Sequence, residues 1–136
     1  MSFIKIKQVI KKNQVIIAQG GKHLILSKSN QNQMILEITN TPPVNSCRPS
    51  VDVLFESVSK YYKNNVLSVI MTGMGADGTE GVRVLKNSGC YSITQSEASC
   101  VVYGMPRAVI EAGLSDEIVK LSDLSKRVTS LIKLGL

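Results

Sequence analysis

The stretch that most constrains the fold is VLSVIMTGMGADGTEGVRV, residues 66–84. A continuous apolar, β-branched run over 66–71 ends in three glycines and one aspartate, and a helical pattern follows. A strand that is apolar without alternation is typical of a parallel sheet buried on both faces. Because functional groups of such sheets lie beyond the carboxyl ends of the strands, the turn 72–78 is the predicted place of chemistry.

The residues after this turn predict a βαβ unit. Residues 79–88 have the pattern of a short helix closed by Gly89, and the strand CYSITQ follows. Short loops in this order indicate two parallel strands joined by the helix. The remaining predicted elements are a helix that begins near Pro106, a short strand over 117–121 and a final helix capped by Ser122.

The first fifty residues predict antiparallel structure followed by a helix. The β-rich runs VIIAQ, HLILSKS and MILEIT are separated by Gly-Gly and by Asn/Gln/Ser clusters, which favours a hairpin or small meander. His23 opens the second run, where a surface or partly buried structural histidine is favoured over a catalytic one. A proline-containing loop then leads to a helix that Ser50 can cap, with a core-facing apolar stripe through residue 63.

The composition fits one domain over residues 1–136. No uninterrupted apolar run approaches the roughly 18 to 20 residues needed to span a bilayer, and the N-terminus lacks the apolar segment of a signal peptide. We therefore expect a soluble, cytoplasmic chain with no membrane insertion. Three cysteines without C-x-x-C spacing and a single histidine argue against a disulfide framework and a zinc centre, so no metal or cofactor is predicted.

The net charge of +6 is concentrated at the N-terminus. Residues 1–28 contain no acid and the following lysines: Lys5, Lys7, Lys11, Lys12, Lys22 and Lys28. Such a segment could steer an acidic partner, but a solvated hairpin whose lysines protect its edges is the simpler explanation. Because aromatic residues are scarce nearby, nucleic-acid binding is not expected.

The glycine turn permits a nucleotide-binding interpretation. Gly73, Gly75 and Gly78 satisfy G-x-G-x-x-G between a strand and a helix, and Glu97 follows about 20 residues later. However, Asp77 would then face the pyrophosphate, and too little chain remains for two mononucleotide-binding halves.

The turn also permits a structural and a catalytic interpretation of Asp77. With Glu80 three residues later, Asp77 has the spacing of a capping box for the following helix. Alternatively, an aspartate at the end of a buried strand can orient a histidine that activates a serine, while glycine-turn amides stabilise an oxyanion. The residue pattern alone does not choose between them.

Three separated motifs favour the catalytic interpretation. They are TPPVN..RPSVDVLF over 41–55, TGMGADG over 72–78 and SEASCVVYGMPRAVI over 96–110. Together they closely resemble the bacterial chemotaxis protein-glutamate methylesterases, the CheB family. QGGKH over 19–23 is similar to that family's PGDxH turn, and the likeness covers nearly the whole chain in the family's order.

The resemblance implies a fold and a reaction. Members of the family hydrolyse glutamate methyl esters on the cytoplasmic helices of chemoreceptors and release methanol, using a Ser-His-Asp triad. Their mainly parallel, doubly wound α/β sheet has helices on both faces and carries an antiparallel hairpin. By position, Asp77 matches the triad aspartate, and the amide of Met74, between Gly73 and Gly75, matches an oxyanion donor. The implied cleft lining is Thr72, Glu97, Ser99 and Cys100.

The sequence also departs from the family. The S-T-G-G turn of the nucleophile and the Q-H-M-P segment of the base are absent, and His23 corresponds to a different family histidine. We therefore expect the later part of a catalytic domain, without the family's first strands or its receiver domain. Such a chain supplies only the aspartate and should be nearly inert alone, because loss of nucleophile or base costs on the order of a million-fold.

The partners expected from the resemblance are methylated receptor helices and a polypeptide that carries the earlier part of the domain. An uncovered apolar sheet edge would also favour self-association. The alternative from another class is a receptor-binding fragment without catalysis.

Overall fold

The computed structural model describes residues 2–3 and 7–135, which form a parallel sheet, an antiparallel sheet and a separate strand pair. The strands are β1 (Ser2–Phe3), β2 (Lys7–Val9), β3 (Ile16–Ile17), β4 (His23–Lys28), β5 (Met34–Thr39), β6 (Leu67–Ile70), β7 (Tyr91–Gln95) and β8 (Glu117–Val119). The helices are α1 (Val51–Ser59), α2 (Thr79–Asn87), α3 (Met105–Glu111) and α4 (Leu121–Lys133). None of the helices in these ranges is both long enough and apolar enough to cross a bilayer.

The parallel sheet has the order β6-β7-β8, and it confirms the predicted βαβ unit. Leu67 is in register with Tyr91, and Ile93 is in register with Glu117. Helix α2 connects β6 to β7 and ends before Gly89, whose φ of +90° suits the glycine that closes a helix. The predicted strand near residue 117 and the helix with Pro106 in its first turn are also present.

Helices cover both faces of this sheet, as a doubly wound fold requires. On one face, Ile70 of β6 packs with Val82 of α2 and Val109 of α3. On the other face, Ile93 of β7 packs with Leu124 and Leu131, both of α4. The α/β class and its helices on both faces are therefore confirmed.

Strand β6 lies at an edge of the described sheet, although its apolar sequence predicted burial on both faces. Ser68 and Ile70 are buried, but Leu67 and Val69 are only half-buried, and Met71 just beyond the strand is 41% exposed. Together with α4, this edge lines an apolar groove of about 470 Å³. Among the described residues, nothing pairs with the outer side of β6.

The antiparallel sheet has the order β2-β5-β4, and its β4–β5 hairpin confirms the prediction for this part of the chain. The prediction was wrong for the first β-rich run, because Ile16–Ile17 pairs in parallel with Ser2–Phe3 and not with β4. Lys5 of the basic segment lies outside the described residues, and Lys7 forms an ion pair with Glu37 at 3.1 Å.

Helix α1 packs between the antiparallel sheet and α2. Ser50 is its N-cap, as predicted, but the helix ends at Ser59 rather than at residue 63, since the chain turns there. Its buried positions, Asp52, Ser57 and Ser59, are polar, and the Ser57 hydroxyl accepts a hydrogen bond from Leu26 N–H of β4 at 2.8 Å. This contact satisfies a donor on the free edge of the antiparallel sheet.

The predicted cap of the last helix was wrong. Helix α4 begins at Leu121, one residue before Ser122, and Lys120 is its N-cap without a side-chain hydrogen bond. The Leu121 N–H instead donates to the Ser99 hydroxyl at 3.2 Å. A side chain distant in sequence thus takes the place of a local cap.

Candidate functional site

Asp77 lies in the turn between β6 and α2, and its side chain faces the N-terminus of α1. Only 4% of the residue is exposed. Its Oδ1 accepts hydrogen bonds from the Ser50 hydroxyl at 2.7 Å and the Asn45 side-chain amide at 3.0 Å. Its Oδ2 accepts one from Val51 N–H at 2.6 Å. The carboxylate is therefore fixed by donors from a different helix and from the loop before it.

The N-terminus of α2 is capped from α1 in return. Asp52, which is also 4% exposed, accepts hydrogen bonds at Oδ1 from Gly78 N–H at 3.0 Å and Gly81 N–H at 2.7 Å. The structural alternative, a capping box of Asp77 and Glu80, is therefore wrong. Gly78, with φ of +100°, is the N-cap residue of α2. The first amide of α1 thus bonds to Asp77, which lies just before α2, and the amides at the start of α2 bond to Asp52 of α1.

This arrangement also removes the support for nucleotide binding. In a dinucleotide site the amides at the start of the helix bind the pyrophosphate. Here the amides of Gly78 and Gly81 are bonded to a carboxylate, and Glu97 is an exposed residue of the short 3-10 turn after β7.

The surroundings of Asp77 favour its ionised form. Burial alone would raise the pKa of this carboxyl, but hydrogen bonds from Asn45, Ser50 and the amides of Val51 and Asp52 outweigh burial and hold the pKa below its usual value. The side chain is therefore a carboxylate at neutral pH, able to accept a further N–H donor.

The glycine turn is joined to the loop 101–104. The Thr72 hydroxyl donates to Val102 O at 3.0 Å and Gly73 N–H donates to the same oxygen at 3.1 Å. Gly73 O accepts hydrogen bonds from Gly104 N–H at 3.1 Å and Met105 N–H at 2.9 Å. Gly104 is required for this contact, because a Cβ atom there would lie 2.7 Å from Gly73 O.

These bonds determine which backbone N–H groups of the turn are free to bind another acceptor. Gly73 N–H already donates to Val102 O, so it is not available to an oxyanion. Within residues 2–3 and 7–135, the N–H groups of Met74 and Gly75 bond to no acceptor. Met74 is 83% exposed, and Gly75 has a φ of +83°, which favours glycine. The open donor of the turn is therefore the amide at Met74, with Gly75 beside it.

A buried glutamine connects the turn to the other predicted cleft residues. The Gln95 side chain accepts a hydrogen bond from Thr72 N–H at 2.8 Å and donates one to Ser99 O at 2.7 Å. Through the Ser99 hydroxyl, which accepts from Leu121 N–H, this network joins the carboxyl ends of all three parallel strands. It fixes the position of the turn relative to the sheet.

The predicted residues near Ser99 lie beside a separate, shallow groove. The groove has a volume of about 460 Å³ and is lined by Ser96, Ala98, Ser99, Lys120, Leu121 and Ser122.

Burial first, and then the charge of Glu97, raise the pKa of the Cys100 thiol. Cys100 is therefore protonated at neutral pH and unsuited to act as a nucleophile. No cluster of His, Cys, Asp and Glu that could hold a metal ion occurs in the part of the chain that the structure describes.

Comparison with known proteins places this geometry in a family. The sequence pattern of the family described as CheB methylesterase matches residues 2–128. The chain belongs to the CheB methylesterase family.

Relatives and a solved structure agree with this assignment to the CheB family. The chain is 51% identical over 119 residues to the protein-glutamate methylesterase/protein-glutamine glutaminase of Desulfotalea psychrophila, covering 87% of this chain and 33% of the relative. It is 48% identical over 119 residues to the protein of that name from Pectobacterium atrosepticum, covering 88% and 34%. The CheB methylesterase catalytic domain of Thermotoga maritima superposes with a TM-score of 0.88 at 32% identity, covering 93% of this chain and 67% of that one. The chain thus spans about a third of the length of these curated relatives.

The described residues of this CheB-family chain contain a serine, a histidine and an aspartate in contact, but not as a triad. In a triad the histidine lies between the serine hydroxyl and the aspartate. Here the Ser50 hydroxyl donates directly to Asp77, while His23 Nδ1 accepts from Ser50 N–H at 3.2 Å and Nε2 bonds to Pro42 O at 2.9 Å. His23 is fully buried. The sequence predicted a surface or partly buried structural histidine; His23 is more deeply buried than that, and both of its ring nitrogens are bonded to backbone groups.

Sequence reasoning missed three residues that hold the site: Asn45, Asp52 and Gln95. Asp52 carried a usable signal, because an acid in the first turn of a predicted helix favours contact with helix N-terminal amides. Asn45 and Gln95 carried none, since the bond from Asn45 to Asp77 spans 32 residues of chain and the bond from Thr72 to Gln95 spans 23.

Proposed function

We propose that this chain is part of the catalytic domain of a cytoplasmic chemotaxis protein-glutamate methylesterase, in which Asp77 is the aspartate of a Ser-His-Asp triad. The reaction hydrolyses glutamate 5-methyl esters on the cytoplasmic helices of chemoreceptors to glutamate and methanol. The names of the relatives join it with deamidation of protein glutamine, which attacks the same kind of side-chain carbonyl carbon.

The observation that carries the proposal is the state of the Asp77 carboxylate. It is buried, its pKa is lowered, and its Oδ2 accepts a single hydrogen bond, from Val51 N–H, within the described chain. A carboxylate oxygen can accept two, so Oδ2 retains a lone pair for the N–H of an imidazole. Asp77 would then fix the tautomer of the histidine and stabilise the imidazolium that forms when the serine loses its proton.

The turn before Asp77 supports stabilisation of the tetrahedral intermediate. The Met74 amide has no acceptor within the described residues, and the bonds of Gly73 to the loop 101–104 hold the turn in place. An amide fixed in this way needs no reorganisation when negative charge develops on the carbonyl oxygen of the ester.

The nucleophile and the base of the proposed enzyme come from residues outside this sequence. The chain has one histidine, and both ring nitrogens of His23 are bonded to backbone groups away from any serine hydroxyl. The uncovered side of β6 and the apolar groove next to it are the proposed place where the segment carrying them pairs with the sheet.

A chimaera tests the proposed function. In it, residues 7–135 replace the matching part of the Thermotoga maritima catalytic domain, and methanol release from methylated receptor is measured. We expect turnover by the chimaera, a fall in kcat of about 10⁴-fold with Asp77→Asn, and no change with the matched control Glu80→Gln. The isolated chain should lack activity, since it has no nucleophile. Turnover by the isolated chain near that of an intact enzyme, or full activity of Asp77→Asn, would contradict the proposal.

The exposed side of β6 also leads us to propose that the isolated chain self-associates. Light scattering over a range of concentrations should show a dimer or larger species that dissociates on dilution. A monomer at high concentration would contradict this part of the proposal without affecting the role of Asp77.

A further inference from the structure

The side-chain amide of Asn45 bridges two buried carboxylates. Its Nδ2 donates to Asp52 Oδ2 at 2.7 Å and to Asp77 Oδ1 at 3.0 Å. An amide nitrogen has two hydrogens, so both of its donors are used and the orientation of the amide is fixed. Each carboxylate is 4% exposed, so water screens the repulsion between their two negative charges only weakly. Asn45 is the donor that the two carboxylates share.

Asp52, the second carboxylate that Asn45 contacts, is bonded to the turn that carries Asp77. Asp52 Oδ1 accepts hydrogen bonds from Gly78 N–H and Gly81 N–H, and Gly78 directly follows Asp77. The backbone after Asp77 and one oxygen of its carboxylate are therefore tied to the same pair of side chains, Asn45 and Asp52. The hydrogen bond that Asn45 donates to Asp77 falls on Oδ1, which leaves the less occupied Oδ2 for another donor.

The backbone at Asn45 is held in an uncommon conformation. Its φ is +53°, that of Ser46 is +60°, and Val44 and Cys47 bond to each other across this turn. Asparagine is among the few residues other than glycine that adopt this region readily. In this turn the amide of Asn45 lies between Asp52 of α1 and Asp77 before α2.

We infer that Asn45 is a positioning residue for the proposed reaction, and that with Asp52 as its anchor it holds the Asp77 carboxylate so that Oδ2 meets the histidine. The inference rests on the proposed function. It assigns no contact between Asn45 and the substrate, because its amide hydrogens are both used within the protein.

The test uses Asn45→Gly, which removes the amide while glycine keeps the positive φ. The matched control is Asn32→Gly, at an exposed position with φ of +62°. In the isolated chain, carboxyl ¹³C NMR follows the titration of Asp77. In the chimaera, kcat and KM are measured as functions of pH. We expect Asn45→Gly to raise the pKa of Asp77 and to lower kcat roughly tenfold with little change in KM, since Asp77 loses one charge-assisted hydrogen bond. Asn32→Gly should change neither.

The possible outcomes separate the inference from the proposed function. Wild-type turnover by Asn45→Gly in an active chimaera would overturn the inference and leave the proposed function standing, whatever the NMR titration shows. An equal loss of kcat in Asn32→Gly would also overturn it, since a general effect of the substitution would then suffice. A correctly folded wild-type chimaera without activity would overturn the proposed function, and the inference with it.

Discussion

The contribution of Asp77 to stability should depend on pH in a way that the structure fixes. At neutral pH its carboxylate accepts hydrogen bonds from Asn45, Ser50 and Val51, all within 3.0 Å. In Asp77→Asn an NH₂ group replaces one carboxylate oxygen. This NH₂ group is a hydrogen-bond donor, and it faces another donor that bonded to the replaced oxygen. Loss of one charge-assisted bond, together with a buried donor left without a partner, amounts to roughly 2 to 4 kcal/mol. That is a large part of the stability of an ordinary domain.

The sign of the pH effect follows from the lowered pKa. Because the folded-state pKa of Asp77 lies below that of the unfolded chain, its contribution is fully present above about pH 4 and is lost as the pH falls through the folded-state value. Glu117 also has a lowered pKa, chiefly through its hydrogen bond with Arg127. The pH dependence of wild-type stability therefore contains contributions from both carboxylates and does not measure that of Asp77 by itself.

Urea unfolding of wild type and Asp77→Asn at a series of pH values isolates it, because contributions from other groups are common to both proteins. We expect the difference in unfolding free energy to be largest at neutral pH and to shrink as the pH falls below 4. Dimer formation is excluded by working at the concentrations where light scattering shows monomer. A difference that stays below about 0.5 kcal/mol at pH 7, the range of ordinary surface substitutions, would refute the reasoning.

Three further substitutions test neighbouring contacts. Gly81→Ala should destabilise the chain by about 1 to 3 kcal/mol in urea unfolding, since its Cβ would lie 2.7 Å from a Cβ atom of α1, whereas Gly20→Ala, with no atom within 4 Å, should have little effect. Ser57→Ala should cost about 1 to 3 kcal/mol, because Leu26 N–H loses its acceptor; an unchanged unfolding midpoint would contradict this. Met74→Ala should leave kcat of the chimaera nearly unchanged, because the proposed donor is the backbone amide; a large loss would indicate a role of the side chain.

The parts of the fold that the sequence predicted well are those governed by nearby residues. The β6-α2-β7 unit follows from an apolar run, a glycine turn and a helical pattern that are adjacent in the chain. The β4–β5 hairpin follows from two β-rich runs separated by turn residues. In both, the residues whose interactions determine the structure are separated along the chain by about one helix or strand.

The predictions that failed depend on contacts between distant residues. Asp77 and Glu80 have the spacing of a local capping box, but Asp77 bonds to the start of α1, and Asp52 caps α2 instead. Similarly, Ser122 is a plausible local cap, yet Ser99 accepts the hydrogen bond at the start of α4. Residues suited to capping were therefore recognised correctly as a type, while their partners were set by tertiary packing.

The exchange of caps between α1 and α2 bears on how the site could be completed. The orientation of Asp77 depends on backbone amides, the Ser50 hydroxyl and Asn45, all within this chain, and not on the histidine it would hold. A carboxylate fixed before its partner arrives has little freedom left to lose when the partner binds, which is the condition for electrostatic preorganisation. An imidazole brought by a segment that pairs with β6 would then meet an oriented, ionised acceptor. Disturbing the caps should therefore lower kcat in the chimaera even when that segment still binds.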